Sequence, residues 1–248
     1  MPMTGTISRR NLLQAAGGAA ATLGLSAIAG EIAPVCAFGQ SAPVRSVKDD
    51  YKEDFFYRED WLGEPWRNPD TVVLIHGNDE SSVQWYAWVP RMAQQYRVIR
   101  PDLPGLGHSK VPLGFNYSLA TFVTQVMDKA GVESAHIIGA KTGGAVAMRF
   151  AADYPKRTRS LVVVGGPASP LAIANPSPVP QLDRLGSHAS KEMIEYWNML
   201  FRTANPEGTE GLRKALSNFD LAKEGVLQRI ASPTLVITAD RTKMHSVE

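Results

Sequence analysis

Cysteine is nearly absent: Cys36 is the single thiol in 248 residues. An intramolecular disulfide and a Cys-based metal site are therefore excluded. No His, Cys, Asp or Glu set has metal-ligand spacing, so neither a metal nor another cofactor is expected. A surplus of charge is missing too. The 26 Lys and Arg against 24 Asp and Glu leave a net charge of +2, too small to argue for a nucleic acid partner. The local run Lys156-Arg157-Thr158-Arg159 reads as a solvated face. No dinucleotide fingerprint follows a strand. A phosphate-binding loop is excluded because Ala135 and Ala140 stand where G-x-x-x-x-G-K-[ST] needs glycines. With 44% hydrophobic and 20% charged residues, the chain has the composition of one sizeable globular core.

The first forty residues are a different material. Arg9-Arg10-Asn11-Leu12-Leu13 opens an Ala/Gly/Leu run to Ile32, followed by the small-residue exit APVCAFGQSAPV. This resembles a twin-arginine export signal. Cleavage near Ala37 or Gly39 would remove Cys36. The resemblance implies the twin-arginine export machinery as a partner and a periplasmic or secreted product, with no stable membrane insertion after cleavage. The alternative is an uncleaved membrane anchor, since the run is long enough to span a bilayer. Its glycines and Glu31 weigh against that.

Beyond the exit, Ser41 to Lys52 reads as an exposed leader. The segment from Glu53 to Pro65 alternates aromatics with charges and predicts a short antiparallel hairpin. Five β-branched runs then recur with helical patterns between them: Thr71–His76, Arg97–Arg100, Ile137–Ile138, Ser160–Val164 and Thr234–Thr238. Continuous apolar runs separated by helices predict a mostly parallel sheet covered on both faces. Leu119, Phe122, Val123 and Val126 share a helical face that ends at Gly131. Ala145, Met148, Phe150 and Ala152 belong to another helix, ended by Pro155. Between the fourth and fifth runs lies a proline-rich crossing. Helical patterns follow at Ser190–Phe201 and Leu212–Phe219, read as a lid, with a plain crossover pair as the alternative. The expected organisation is a signal over 1–39, core over 40–165, lid over 166–228 and a second core segment over 229–248.

Four motifs follow in order: LIHGNDESSVQW, RPDLPGLGHS, GAKTGG and SPTLVITAD. Together they resemble the α/β-hydrolase family from about Phe55 onward. The resemblance implies the α/β-hydrolase fold with a helical lid insert, and a small-molecule substrate. The family's last strand and helix are expected to be missing. GAKTGG matches the nucleophile elbow, a sharp strand-to-helix turn that needs small residues two positions either side of its tip. Gly139 and Gly143 fill those places and Lys141 is the tip. The backbone N–H groups of Thr142 and Asn78 are the expected oxyanion hole. Asp240 matches the acid after the late strand. The family histidine has no clear counterpart, His245 being only five residues past Asp240. His76, Trp85 and Trp197 are candidates for the pocket lining, with His76 also readable as a backbone-shaping residue.

Lysine at the tip changes the chemistry. Its free pKa is ~10.4, and burial or a helix N-terminus favours the neutral amine. A neutral amine can form a Schiff base with a carbonyl compound or act as a base. Replacing serine in ester hydrolysis is unattractive, because the resulting amide is hard to hydrolyse. Two readings stay open. One is a hydrolase- or lyase-type enzyme on a small carbonyl or ester compound through Lys141 and Asp240. The other is a non-catalytic binding protein in which Lys141 stays charged and pairs with Asp240. A serine-type esterase using Thr142 or Ser81 is a third, against which stands that neither hydroxyl is at the tip.

Overall fold

The computed structural model describes residues 55–110, 118–169, 185–202, 204–217 and 219–238. The expected export signal and its expected cleavage region, Asp240 and His245 lie outside them. Strands form where the β-branched runs predict: β2 (Thr71–Ile75), β3 (Arg97–Pro101), β4 (Ala135–Ala140), β5 (Thr158–Val164) and β6 (Thr234–Ile237). With β1 (Tyr57–Asp60) they make one sheet in the order β1-β3-β2-β4-β5-β6. All neighbours are parallel except β1 and β3.

Strand alternation sends successive side chains to opposite faces. Val73 and Ile75 of β2 join Ile99, Phe122, Met127, Ile137 and Phe150 in one buried cluster. Val72 and Leu74 join Trp85, Val89, Val98 and Ile138 in the other. Each fully buried aliphatic or Phe side chain contributes about 1.5–3 kcal/mol relative to exposure, so both faces need cover, and helices supply it. On the first face lie α2 (Leu119–Lys129) and α3 (Thr142–Asp153); on the second is the short α1 (Val89–Met92). The Ser118 hydroxyl caps α2 by accepting from Thr121 N at 3.1 Å. Gly131, at φ +65°, takes the left-handed turn after its end.

Two expectations change. The hairpin over Glu53–Pro65 does not form among the described residues. Instead β1 adds antiparallel to β3, with Asp60 opposite Val98 and Glu59 opposite Ile99. Charge decides this pairing: Arg97 holds Glu59 through two bonds at 2.7 and 2.9 Å, and Arg100 donates to Asp60 at 2.8 Å. In the insert, α4 (Lys191–Arg202) lies as expected, but α5 (Pro206–Ser217) starts six residues before Leu212. Asn205 is the reason. Its side-chain oxygen accepts from Glu207 N at 3.0 Å and Gly208 N at 3.4 Å, and Pro206 follows in the first helical position.

Candidate functional site

The connection from β2 leads to β3 on one side, and β4 lies on the other, so chain direction across the sheet reverses at β2. Crevices at such a reversal open at the carboxyl ends of the strands. The ends of β2 and β4 deliver His76-Gly77 and Lys141 there, with Ile75 paired to Gly139. Lys141 sits between β4 and α3 at φ 52°, ψ −127°. This conformation is strained for a residue with a Cβ and costs about 1–3 kcal/mol. Backbone bonds hold it: Lys141 N donates to Val164 O at 2.8 Å, and Lys141 O accepts from Gly144 N at 2.9 Å. The glycines are demanded by contact. A Cβ on Gly139 would lie 2.3 Å from Gly143 O, and one on Gly143 2.3 Å from His76 O.

The tip has a partner that the sequence pattern did not reveal. Lys141 Nζ donates to Oε1 of Glu80, whose side chain has no exposure while that of Lys141 is 41% exposed. Glu80 Oε2 also accepts from Gly77 N at 3.0 Å. The Gln84 amide, oriented nitrogen-inward, donates to the same carboxylate. From the other side, the Trp197 ring stands 5.6 Å from Lys141 Nζ, within range of a cation–π contact. The lysine is thus held between a buried carboxylate and an indole.

The other anticipated residues divide. Asn78 and Thr142 do meet, but Asn78 N donates to Thr142 Oγ1 at 2.7 Å. That amide is given to a hydroxyl and is not an open oxyanion donor in this state. The Asn78 side-chain oxygen is buried and has no hydrogen-bond partner among the described residues. His76 does not line a pocket. It is wholly buried, its Nε2 accepts from Leu103 N at 2.8 Å, and its Nδ1 lies 2.7 Å from Gly77 O. Since Nε2 accepts a hydrogen bond, Nδ1 carries the proton and donates to Gly77 O, and the neutral ring clamps two loops. Burial lowers its pKa below the usual histidine value, partly opposed by Asp102, the Gly77 carbonyl and Glu80. Trp85 is likewise core, 3% exposed and edge-on to Trp88. Trp197 does reach the tip. Asp102 is buried and accepts from Ser82 N and from His108 N at 2.5 and 2.9 Å, so it shapes the neighbouring loops.

Comparison with known proteins agrees with this fold. A family model described as the alpha/beta hydrolase fold matches residues 70–187. A solved enol-lactonase from Burkholderia xenovorans superposes with a TM-score of 0.65 at 20% identity, over 78% of this chain and 80% of that one. The chain has the α/β-hydrolase fold. A solved hydrolase from Pseudomonas aeruginosa gives a TM-score of 0.62 at 25% identity, over 77% of this chain and 78% of that one. Among curated relatives, the 2-hydroxy-6-oxo-2,4-heptadienoate hydrolase of Pseudomonas putida is 32% identical over 100 residues, 38% of this chain and 36% of the relative. The 2-hydroxy-6-oxo-6-phenylhexa-2,4-dienoate hydrolase of Burkholderia cepacia is 33% identical over 117 residues, 44% of this chain and 41% of the relative. The matched stretch thus spans about two fifths of the length of these curated relatives. Both of these curated relatives are named as hydrolases of 2-hydroxy-6-oxo-dienoates.

Proposed function

We propose that this chain is an exported enzyme that acts on a small carbonyl compound through Lys141, with Glu80 as its proton partner. The observation that carries the reading is the pairing of a strained elbow lysine with a wholly buried glutamate. Burying a carboxylate costs several kcal/mol unless it is well paired, and holding a non-glycine residue at positive φ adds to that cost. Both features persist at one point, beyond the carboxyl ends of β2 and β4. Two of the relatives are named for 6-oxo-dienoates, compounds that carry a ketone; this supports the substrate class.

In the resting state Lys141 is an ammonium held by Glu80. Passing one proton across that contact leaves a neutral amine and a carboxylic acid. The amine adds to the substrate carbonyl to form a carbinolamine, which loses water to give an iminium. In a 1,3-diketone, water adds to the second carbonyl; the bond from that carbon to the central carbon then breaks, its electron pair passes to the iminium to give an enamine, and the fragment leaves as a carboxylic acid. Protonation of the enamine carbon and hydrolysis of the resulting iminium release a ketone and the lysine. The unfilled acceptor of Asn78 would hold a donor group of the ligand.

Borohydride trapping during turnover of small ketones and 1,3-diketones tests this. A reduced adduct on the Lys141 peptide is expected, and Glu80→Gln should lower its rate of formation by about 10²-fold or more. Turnover with no adduct would remove the Schiff-base route.

The wholly buried and fully bonded Glu80 also favours a second reading, a binding protein whose lysine never loses its charge. In that case ligands would raise the melting temperature without turnover. Export is proposed from the paired Arg9 and Arg10. Replacing both with lysine should retain the full-length precursor in the cytoplasm, as read by fractionation and immunoblotting.

A further inference from the structure

Helix α4 lies against the site with no fully buried residue. Elements held by contacts at their rim, with little core burial, are those that open at low free-energy cost. Two adjacent side chains of α4 reach the segments that follow β2 and β4. Tyr196 donates its hydroxyl to Val83 O at 3.3 Å and stands edge-on to Tyr86 at 5.2 Å. Trp197 presents its ring to Lys141 Nζ. The first contact is indifferent to the state of the lysine. The second is not, because the quadrupole of an indole attracts a cation and has no such attraction for a neutral amine.

We propose that α4 is a charge-sensing lid: Trp197 docks on the protonated Lys141, and loss of that charge releases the helix from the site. Coupling of this kind is reciprocal. A lid that binds better to the ammonium also favours the ammonium over the amine. Glu80, from the loop after β2, favours the same form whether the lid is docked or not. The lid's own contribution is therefore an increment that vanishes when a ligand displaces the indole. Lys141 is covered by the indole under the closed lid and uncovered once a ligand has displaced it. The proposal rests on Lys141 being the working amine, yet its test needs no turnover.

Hydrogen exchange of the α4 amides, read by mass spectrometry, supplies that test. Lys141→Met removes the charge and keeps the length, and should speed exchange across 191–202 by about two- to thirty-fold, the span expected for one cation–π contact. Trp197→Leu should do the same, and the double variant should exchange no faster than either single one. Glu80→Gln, which leaves the ammonium in place, should keep the lid protected. Unchanged exchange in Lys141→Met, or full additivity of the two substitutions, would overturn the proposal. As a second measurement, trinitrobenzenesulfonate should label Lys141 several-fold faster in Trp197→Leu than in the native chain, with Trp197→Phe close to native. Equal labelling of all three would also overturn it. A protected lid with no borohydride adduct would sink the carbonyl chemistry alone, whereas an adduct with an indifferent lid would sink only the lid.

Discussion

At the residue scale, the elbow shows both what spacing can reveal and what it cannot. Gly139, Lys141 and Gly143 are legible in the sequence because close backbone contact imposes a local rule: a Cβ at either glycine would collide with main-chain oxygen. Glu80 obeys no such rule. It follows His76 in a loop without periodicity, and only the fold brings it to a lysine 61 positions later. The carboxylate anticipated at the tip was Asp240, outside the described residues, while the partner present is Glu80. The pair yields a stability prediction. Lys141→Ala takes one of three donors from a carboxylate that has no exposure, which should cost about 1–3 kcal/mol. Adding Glu80→Gln removes the buried charge, so the double variant should recover part of that loss. Urea unfolding of the four proteins measures the coupling directly, and additive losses would show that the two side chains do not stabilise one another.

At the scale of elements, the five β-branched runs predicted five strands, and all five form. Continuous apolar runs are a strong signal when both faces are covered, as β2 is at all five of its residues. Segments whose pairing is decided by distant charges were harder to read. The residues of β1 alternate well enough to fold back on themselves, but Arg97 and Arg100 on β3 capture Glu59 and Asp60. The start of α5 departs from its apolar spacing for a different reason. Apolar spacing points to Leu212, whereas the boundary is set by Asn205-Pro206, a polar cap followed by a residue already fixed at helical φ. Asn205→Ala should therefore destabilise this end by about 1 kcal/mol, while Asn205→Asp should be nearly neutral. The readout is local: amide exchange should rise at Glu207 and Gly208 and leave α3 untouched.

At the scale of the whole molecule, the site depends on loops from separate strands being held in register beneath it, and His76 is one of the clamps. The ring joins the end of β2 to the loop after β3 by accepting from Leu103 N, so its neutral form is built into the fold. Burial depresses its pKa in the folded chain, while the unfolded chain keeps a value near the reference 6.5. The unfolded state therefore binds a proton first as pH falls. Between 6.5 and the lower folded value it carries more protons than the native state, so unfolding free energy rises with pH across that window. The stabilisation is full above about pH 7 and declines as pH drops through 6.5. Thermal unfolding should consequently show a falling midpoint between pH 7 and pH 5, before most carboxylates titrate. His76→Gln should be less stable at every pH because the fit to Leu103 N is altered, but its midpoint should lose most of the slope over that interval. A slope equal to that of the native chain would place the titrating group elsewhere and leave His76 as a clamp without a proton-linked role.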